Sequence, residues 1–178
     1  MKLTATKIKD LYIIEHQSHI DDRGSFQRVF CQTALQDQGL SFPVTQINLS
    51  TNRHKDTLRG LHFQKEPHGE DKIVQCLKGS IYDVVVDLRK GSDTFGQWLS
   101  IELTDSNKRS LLIPKGCAHG FQTLADDCQV LYLMSHYYSP DHASGVRWND
   151  PFFNIDWPVA KRRIISDKDQ NWPLIKNN

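Results

Sequence analysis

Between residues 44 and 135 the chain is a succession of short apolar runs, each ended by Gly, Asp, Asn or Ser at a turn position. That pattern leaves little room for helices and asks for a stack of short strands. In "VTQINLS" (44–50), Gln46, Asn48 and Ser50 fall on one face of a strand, with Val44, Ile47 and Leu49 mostly on the other. "KIVQCLKGSIYDVVVDLR" (72–89) reads as a hairpin turning at Lys78-Gly79-Ser80. "FGQWLSIELTDSNKRSLLIPKG" (95–116) reads as a second, turning through residues 104–107, and "FQTLADDCQVLYLMS" (121–135) as a third, turning at Asp126-Asp127. Helix signals are confined to 32–39, closed by Gly39, and to "SDKD" (166–169), where Ser166 is an N-cap and Asp169 stands near the capping-box position. The expectation is an all-β sandwich or small barrel with a few short helices. The stretch after Pro140, rich in aromatics and proline, is expected to wrap the sheets, so residues 1–178 form a single domain.

Composition removes several classes of function. Lys and Arg number 22 against 21 Asp and Glu, so the chain lacks the clustered basic excess of a nucleic-acid binder. An anionic small molecule needs only local arginines. No apolar segment resembles a signal or a membrane span, and no membrane partner is expected. The four cysteines (31, 76, 117 and 128) form no C-x-x-C pair, which fits reduced thiols and a cytoplasmic location. Cys117 is read as a packing residue.

Two stretches carry chemistry. "LRGLHFQ" (58–64) places an arginine and a histidine three residues apart on a strand. Regular alternation would send Arg59 and His62 to opposite faces. A bulge at Gly60 would let both enter one cavity. "IPKGCAHGF" (113–121) contains Pro114-x-Gly116-x-x-His119, which resembles the second motif of the cupin superfamily, a double-sheet jelly roll. Metal-binding cupins add an H-x-H pair, and this chain has none; His54 and His68 fall in loops. The barrel mouth is therefore expected to hold no metal. In "LYLMSHYY" (131–138), Tyr132 and Tyr138 are either packing aromatics, or a general acid and a stacking ring.

Taken in order, "DDRGSF", "QIN", "LRGLHFQ", "GSIYDVVVDLRKGSDTFGQW", "IPKGCAHGF", "LYLMSHYY", "GVRWNDP", "IDWP" and "ISDKD" resemble the dTDP-4-dehydrorhamnose 3,5-epimerase family over nearly the whole chain. The resemblance implies a cupin jelly roll, a homodimer with strands exchanged between subunits, a nucleotide-sugar substrate, and no metal or organic cofactor. It also implies a reaction. In a nucleoside-diphosphate 4-keto-6-deoxyhexose, C3 and C5 flank the C4 carbonyl, so their protons are acidified by enolate formation. Inversion then needs a base and an acid on opposite faces of the ring and a positive group near O4.

By similarity, His62 is the base and Tyr132 the acid. Asp169 pairs with His62, and Lys72 stabilises the enolate oxygen. Arg59 and His119 complete the polar lining, with Asp83 either orienting His119 or standing as an edge-strand acid. Arg23 and Arg59 would take the diphosphate. Gln46 and Asn48 would hydrogen-bond the substrate, and Tyr138 and Phe26 would sandwich the base, Phe26 from the partner subunit. One departure concerns the nucleotide: family members specific for thymidine usually carry a glutamate where this chain has Arg28. The wording of residues 66–72 before the lysine also differs. Alternatives are a C3-only or C5-only epimerase, a CDP- or GDP-linked substrate, and a non-catalytic sugar-nucleotide binder on the same barrel. A metal-dependent cupin enzyme is disfavoured by the missing H-x-H.

Overall fold

The structure, a computed structural model, describes residues 1–175. The chain runs β1 (Lys2–Ala5), β2 (Tyr12–Glu15), β3 (Ser18–Asp21), β4 (Gly24–Gln27), α1 (Gln32–Gln36), β5 (Gln46–Asn52), β6 (Leu58–Gln64) and β7 (Lys72–Lys78). It continues through β8 (Ser80–Asp87), β9 (Trp98–Thr104), β10 (Arg109–Ile113), β11 (Cys117–Thr123), β12 (Cys128–Met134), β13 (Ala143–Gly145) and α2 (Asp167–Gln170). Six strands form one sheet in the order β1-β2-β10-β7-β12-β5, and five form another in the order β13-β6-β11-β8-β9. Strands β3 and β4 pair only with each other. This is the expected all-β jelly-roll architecture.

The three expected hairpins are corrected. β7 and β8, β9 and β10, and β11 and β12 each lie in different sheets, and none of these pairs is hydrogen-bonded together. The turns stand where the sequence places them, with Gly79 and Asp127 at positive φ. Each turn, however, hands the chain from one sheet to the other. Turn residues specify a reversal, not which edge the returning strand joins; here both sheets offered an apolar face, and pairing went to strands distant in sequence.

Alternation explains the three apolar layers. Val74, Cys76, Leu111, Ile113 and Val130 from one sheet meet Ile81, Val85, Leu103 and Phe121 from the other between the sheets. The opposite side chains of β8 and β11, Val84, Val86 and Ala118, face outward under Val146, Phe153 and Trp157 of the C-terminal wrap. On the far side, Ile14, Ile73, Leu112 and Leu133 pack against Leu35 of α1 and Phe42. Strands covered on both faces need apolar residues at every position, which is why "SIYDVVVD" loses its alternation.

The two short helices form where expected. Gly39, with φ of +78°, closes the turn after α1. Ser166 caps α2 by accepting from the Asp169 amide at 3.2 Å.

The turn after β8 is held by one buried carboxylate. Asp87 accepts from Arg89 Nε and Nη2 at 2.9 Å each, from Ser92 Oγ at 2.6 Å and from Thr94 Oγ1 at 2.7 Å. Burial pushes this carboxyl up, but the four donors outweigh burial and hold it below the usual aspartate range. A depressed folded-state pKa stabilises the fold above the unfolded value of about 3.9, and that stabilisation is lost as pH falls through the folded value. Asp87→Asn removes the counter-charge from Arg89 and is expected to cost about 3 kcal/mol. Urea unfolding at pH 7 and at pH 3 measures this, with the gap between wild type and variant narrowing at the lower pH.

Candidate active site

The site begins with the bulge in β6. On β11, His119 pairs with His62 and Phe121 with Arg59, so three steps along β6 match two along β11. The extra residue falls at Gly60-Leu61, and Gly60 has φ of +130°. A Cβ on Gly60 would lie 2.6 Å from the Gly120 Cα, and one on Gly120 would lie 2.5 Å from the Arg59 carbonyl oxygen. Only two glycines allow the strands this close. The consequence is the expected one: Arg59 and His62, three residues apart, both line one cavity of about 380 Å³ at the end of the sandwich.

His62 comes from the five-stranded sheet. Its Nε2 lies 2.6 Å from Asp169 Oδ1. A carboxylate only accepts, so Nε2 carries the proton and Nδ1 keeps the lone pair a base needs. Asp169 is placed by α2 and held by two more donors, the Trp172 indole to Oδ1 and the Gly60 amide to Oδ2, both at 3.2 Å. Burial pushes the Asp169 carboxyl up, and the His62 hydrogen bond and charge, with these two donors, bring it below the ordinary range. The carboxylate thus serves His62, while the α2 cap is Ser166 with the Asp169 backbone. Trp172 also meets the His62 ring edge-on at 6.0 Å between centroids.

Behind His62, His119 Nε2 lies 3.0 and 2.9 Å from the two Asp83 carboxylate oxygens. Asp83 is fully buried on β8, which runs between β11 and β9 and is no edge strand. Burial pushes its carboxyl up, against the charges of His119 and Lys72.

The facing wall comes from the six-stranded sheet. Register aligns Lys72, Met134 and Gln46 in one row, and Val74, Tyr132 and Asn48 in the next. Tyr132 stands edge-on to His119, with 6.0 Å between ring centroids. Burial, aided by the Asp83 charge and opposed by Arg59, pushes its phenol up, so it holds its proton firmly. Lys72 Nζ lies 2.9 Å from Glu70 Oε1 and donates to the His62 carbonyl at 3.3 Å. Arg59 Nε donates to Asn52 Oδ1 at 2.7 Å. Gln46 donates to Asn48 Oδ1 at 2.9 Å and accepts from the Tyr138 amide at 3.2 Å, fixing the start of the 138–142 turn.

The structure therefore brings together Gln46, Asn48, Arg59, His62, Lys72, Tyr138 and Asp169 around the main cavity. His119 and Tyr132 line an adjoining lobe that shares Asn48, Arg59, His62 and Lys72. Arg23, Phe26 and Arg28 do not join them. They sit on and just after the β3–β4 hairpin, exposed, with Arg23 paired to Asp21 at 2.6 Å. Sequence reasoning missed Glu70, Lys168 and Trp172, all of which line the cavity. Lys168 and Trp172 flank Asp169 within one turn, a spacing that alone signals nothing; Glu70 lies two residues before Lys72 on an extended stretch, the one legible hint of a pair. Among the described residues, no group of three or more His, Cys, Asp or Glu is arranged to hold a metal ion.

Because the two glycines set the geometry, Gly60→Ala is expected to destabilise the protein by about 2–4 kcal/mol and to pull Arg59 or His62 out of the cavity. Urea unfolding measures the first effect; loss of the downfield imidazole proton of the His62–Asp169 pair in the NMR spectrum reports the second.

Comparison with known proteins agrees with this geometry. The family model described as dTDP-4-dehydrorhamnose 3,5-epimerase matches residues 5–177. The dTDP-4-dehydrorhamnose 3,5-epimerase of Methanothermobacter thermautotrophicus is 43% identical, over 97% of this chain and 94% of its own. The crystal structure of the Bacillus anthracis enzyme of that name, with TDP and PPi bound, superposes with a TM-score of 0.95 at 45% identity, covering 98% of this chain and 99% of the other. A 3'-monoepimerase from Streptomyces bikiniensis, in complex with dTDP-quinovose, gives a TM-score of 0.90 at 33% identity, covering 95% and 85%. With the bulged histidine strand, the facing tyrosine and a match over nearly its whole length, the chain belongs to the dTDP-4-dehydrorhamnose 3,5-epimerase family.

Proposed function

We propose that this protein inverts C3 and C5 of a nucleoside-diphosphate 4-keto-6-deoxyhexose, converting dTDP-4-dehydro-6-deoxy-D-glucose to dTDP-4-dehydro-L-rhamnose. One observation carries the reading: His62, backed by Asp169, and Tyr132 stand on different sheets and face a common cavity. A sugar ring between those sheets presents one face to a base and the other to an acid.

The steps follow from the side chains. His62 Nδ1 takes the proton from the carbon beside the carbonyl, and the C–H electron pair moves into the C4 carbonyl to give an enolate. Asp169 stabilises the imidazolium so formed. The Lys72 ammonium, with two of its three N–H donors occupied, has one left for the enolate oxygen. Tyr132 gives its proton to the carbon from the opposite face as the electron pair returns to it. Solvent exchange restores both groups, and the second carbon follows the same course. Arg59 and Lys168 supply positive charge for the diphosphate near the mouth.

A second copy of the chain completes the site. Ile20 and Phe26 on the β3–β4 hairpin are 81% and 72% exposed, and Ile47 and Leu49 point outward from β5, an edge strand, at 61% and 56%. A lone hairpin and a bare apolar edge strand are the two surfaces that a second copy would cover in an exchanged interface. In a homodimer the hairpin would deliver Arg23, Phe26 and Arg28 to the partner's cavity, Phe26 opposite Tyr138 across the nucleobase. A cytoplasmic location fits four free cysteines and the absence, among the described residues, of any helix long and apolar enough to cross a membrane.

Three measurements test this reading. In deuterated water, wild type is expected to place label at C3 and C5; label at C3 alone would make it a monoepimerase. His62→Ala is expected to stop exchange at both carbons, whereas Tyr132→Phe keeps exchange and loses inversion; full inversion by that variant removes Tyr132 from the role. Mixing inactive His62→Ala with inactive Arg23→Ala subunits is expected to restore up to half of one active site per dimer; no recovery refutes the exchanged arm. A panel of dTDP-, CDP- and GDP-linked 4-keto sugars, run on wild type and Arg28→Glu, reports whether Arg28 reads the base.

A further inference from the structure

Among the described residues, Glu70 is the one carboxylate lining the cavity that the reaction above does not use. Its side chain is 3% exposed, its Oε1 lies 2.9 Å from Lys72 Nζ, and its Oε2 is buried without a hydrogen-bond partner. The stretch that carries it is tied down on both sides. Gln64 Nε2 donates to the His68 carbonyl at 2.9 Å, the Asp71 amide donates to Ser135 Oγ at 2.7 Å, and the Lys115 amide donates to Asp71 Oδ1 at 2.8 Å. The carboxylate is therefore held in place, not merely drifting toward a cation.

A buried ion pair with an orphaned oxygen is a poor device for stability, because desolvating both ions and leaving one acceptor unmade outweighs much of their attraction. Such features collect where function requires them. Lys72 shows what is required. It is 8% exposed on its side chain and must point a charged ammonium at a developing oxyanion. Arg59 and His62 of β6, His119 of β11 and Tyr132 of β12 share its lobe of the cavity. Asp83 of β8 acts on it from behind, and Asp169 is committed to His62. Arg59, and His62 once it has taken a proton from the substrate, disfavour a further positive charge. Glu70 is the carboxylate in direct contact with the ammonium.

We propose that Glu70 is a positioning residue that keeps the Lys72 ammonium charged and aimed into the cavity. The inference rests on the epimerase reading for its kinetic consequence, but the contact itself can be read without turnover.

The test is a double-mutant cycle with a titration. Glu70→Met is expected to lower kcat about tenfold to a hundredfold with KM changed by no more than about threefold, since the contact acts when the enolate forms. Lys72→Met loses about 10²–10³-fold, and adding Glu70→Met to it is expected to cost nothing further. Glu70→Gln keeps an acceptor oxygen and is expected to stay within about fivefold of wild type near neutral pH, with the basic limb of its pH–rate profile moved to lower pH. The Lys72 Cε resonance, assigned by its loss in Lys72→Met, is expected to titrate at lower pH in both Glu70 variants. Equal losses from Glu70→Met in both backgrounds, or a Lys72 titration unmoved by either substitution, overturn the proposal. If Glu70→Met fails to fold, Glu70→Gln carries the titration and the limb shift. If wild type itself incorporates no solvent deuterium, the epimerase reading fails, while the lysine titration still decides the role of Glu70.

Discussion

A close approach of two backbones shapes the cavity. Where β6 crosses β11, Gly60 and Gly120 face each other with no room for a Cβ on either. That contact absorbs an extra residue into β6 and turns Arg59 toward the side His62 already occupies. It also frees the Gly60 amide to donate to Asp169, so the same irregularity that re-aims the arginine helps fix the carboxylate behind His62. A regular strand would place Arg59 and His62 on opposite faces of a sheet, one of them under the C-terminal wrap.

Around this crossing, charged side chains are matched in pairs. Asp169 fixes the tautomer of His62. His119 with Asp83 forms a rigid partner on the floor of the cavity, in edge contact with Tyr132. Lys72 with Glu70 supplies a cation on the facing sheet. Arg59 is held instead by a neutral amide, Asn52, which leaves its full charge for a ligand. Low local dielectric makes each of these arrangements strong when complete and costly when broken.

Much of this was legible in the sequence. Strand positions, turn residues, the Ser166 cap, the Gly60 bulge and the pairing of His62 with Asp169 follow from alternation, turn chemistry and the ordered motifs. The strand partners did not. Lys78-Gly79-Ser80 reverses the chain equally well within a sheet or between sheets, and only the burial of both faces of β7 and β8 decides it. Glu70 escaped notice because an acid two residues before a lysine is common on any solvated loop; the stretch that carries it is fixed by Gln64 donating to the His68 carbonyl and by the Asp71 amide donating to Ser135, partners the pattern does not announce. Arg23, Phe26 and Arg28 were expected in the site by similarity, and none of them lines the cavity of its own chain.

Placing His62 on one sheet and Tyr132 on the other has a mechanical corollary. The gap between His62 and Tyr132 is not set by either residue but by the thickness of the apolar layer, Val74, Val85 and Phe121 among it, that keeps the two sheets apart. Interiors are packed like crystals and yield little, so that layer works as a spacer gauge between the two rings. Trimming a methylene from it alters their separation from deep inside the core.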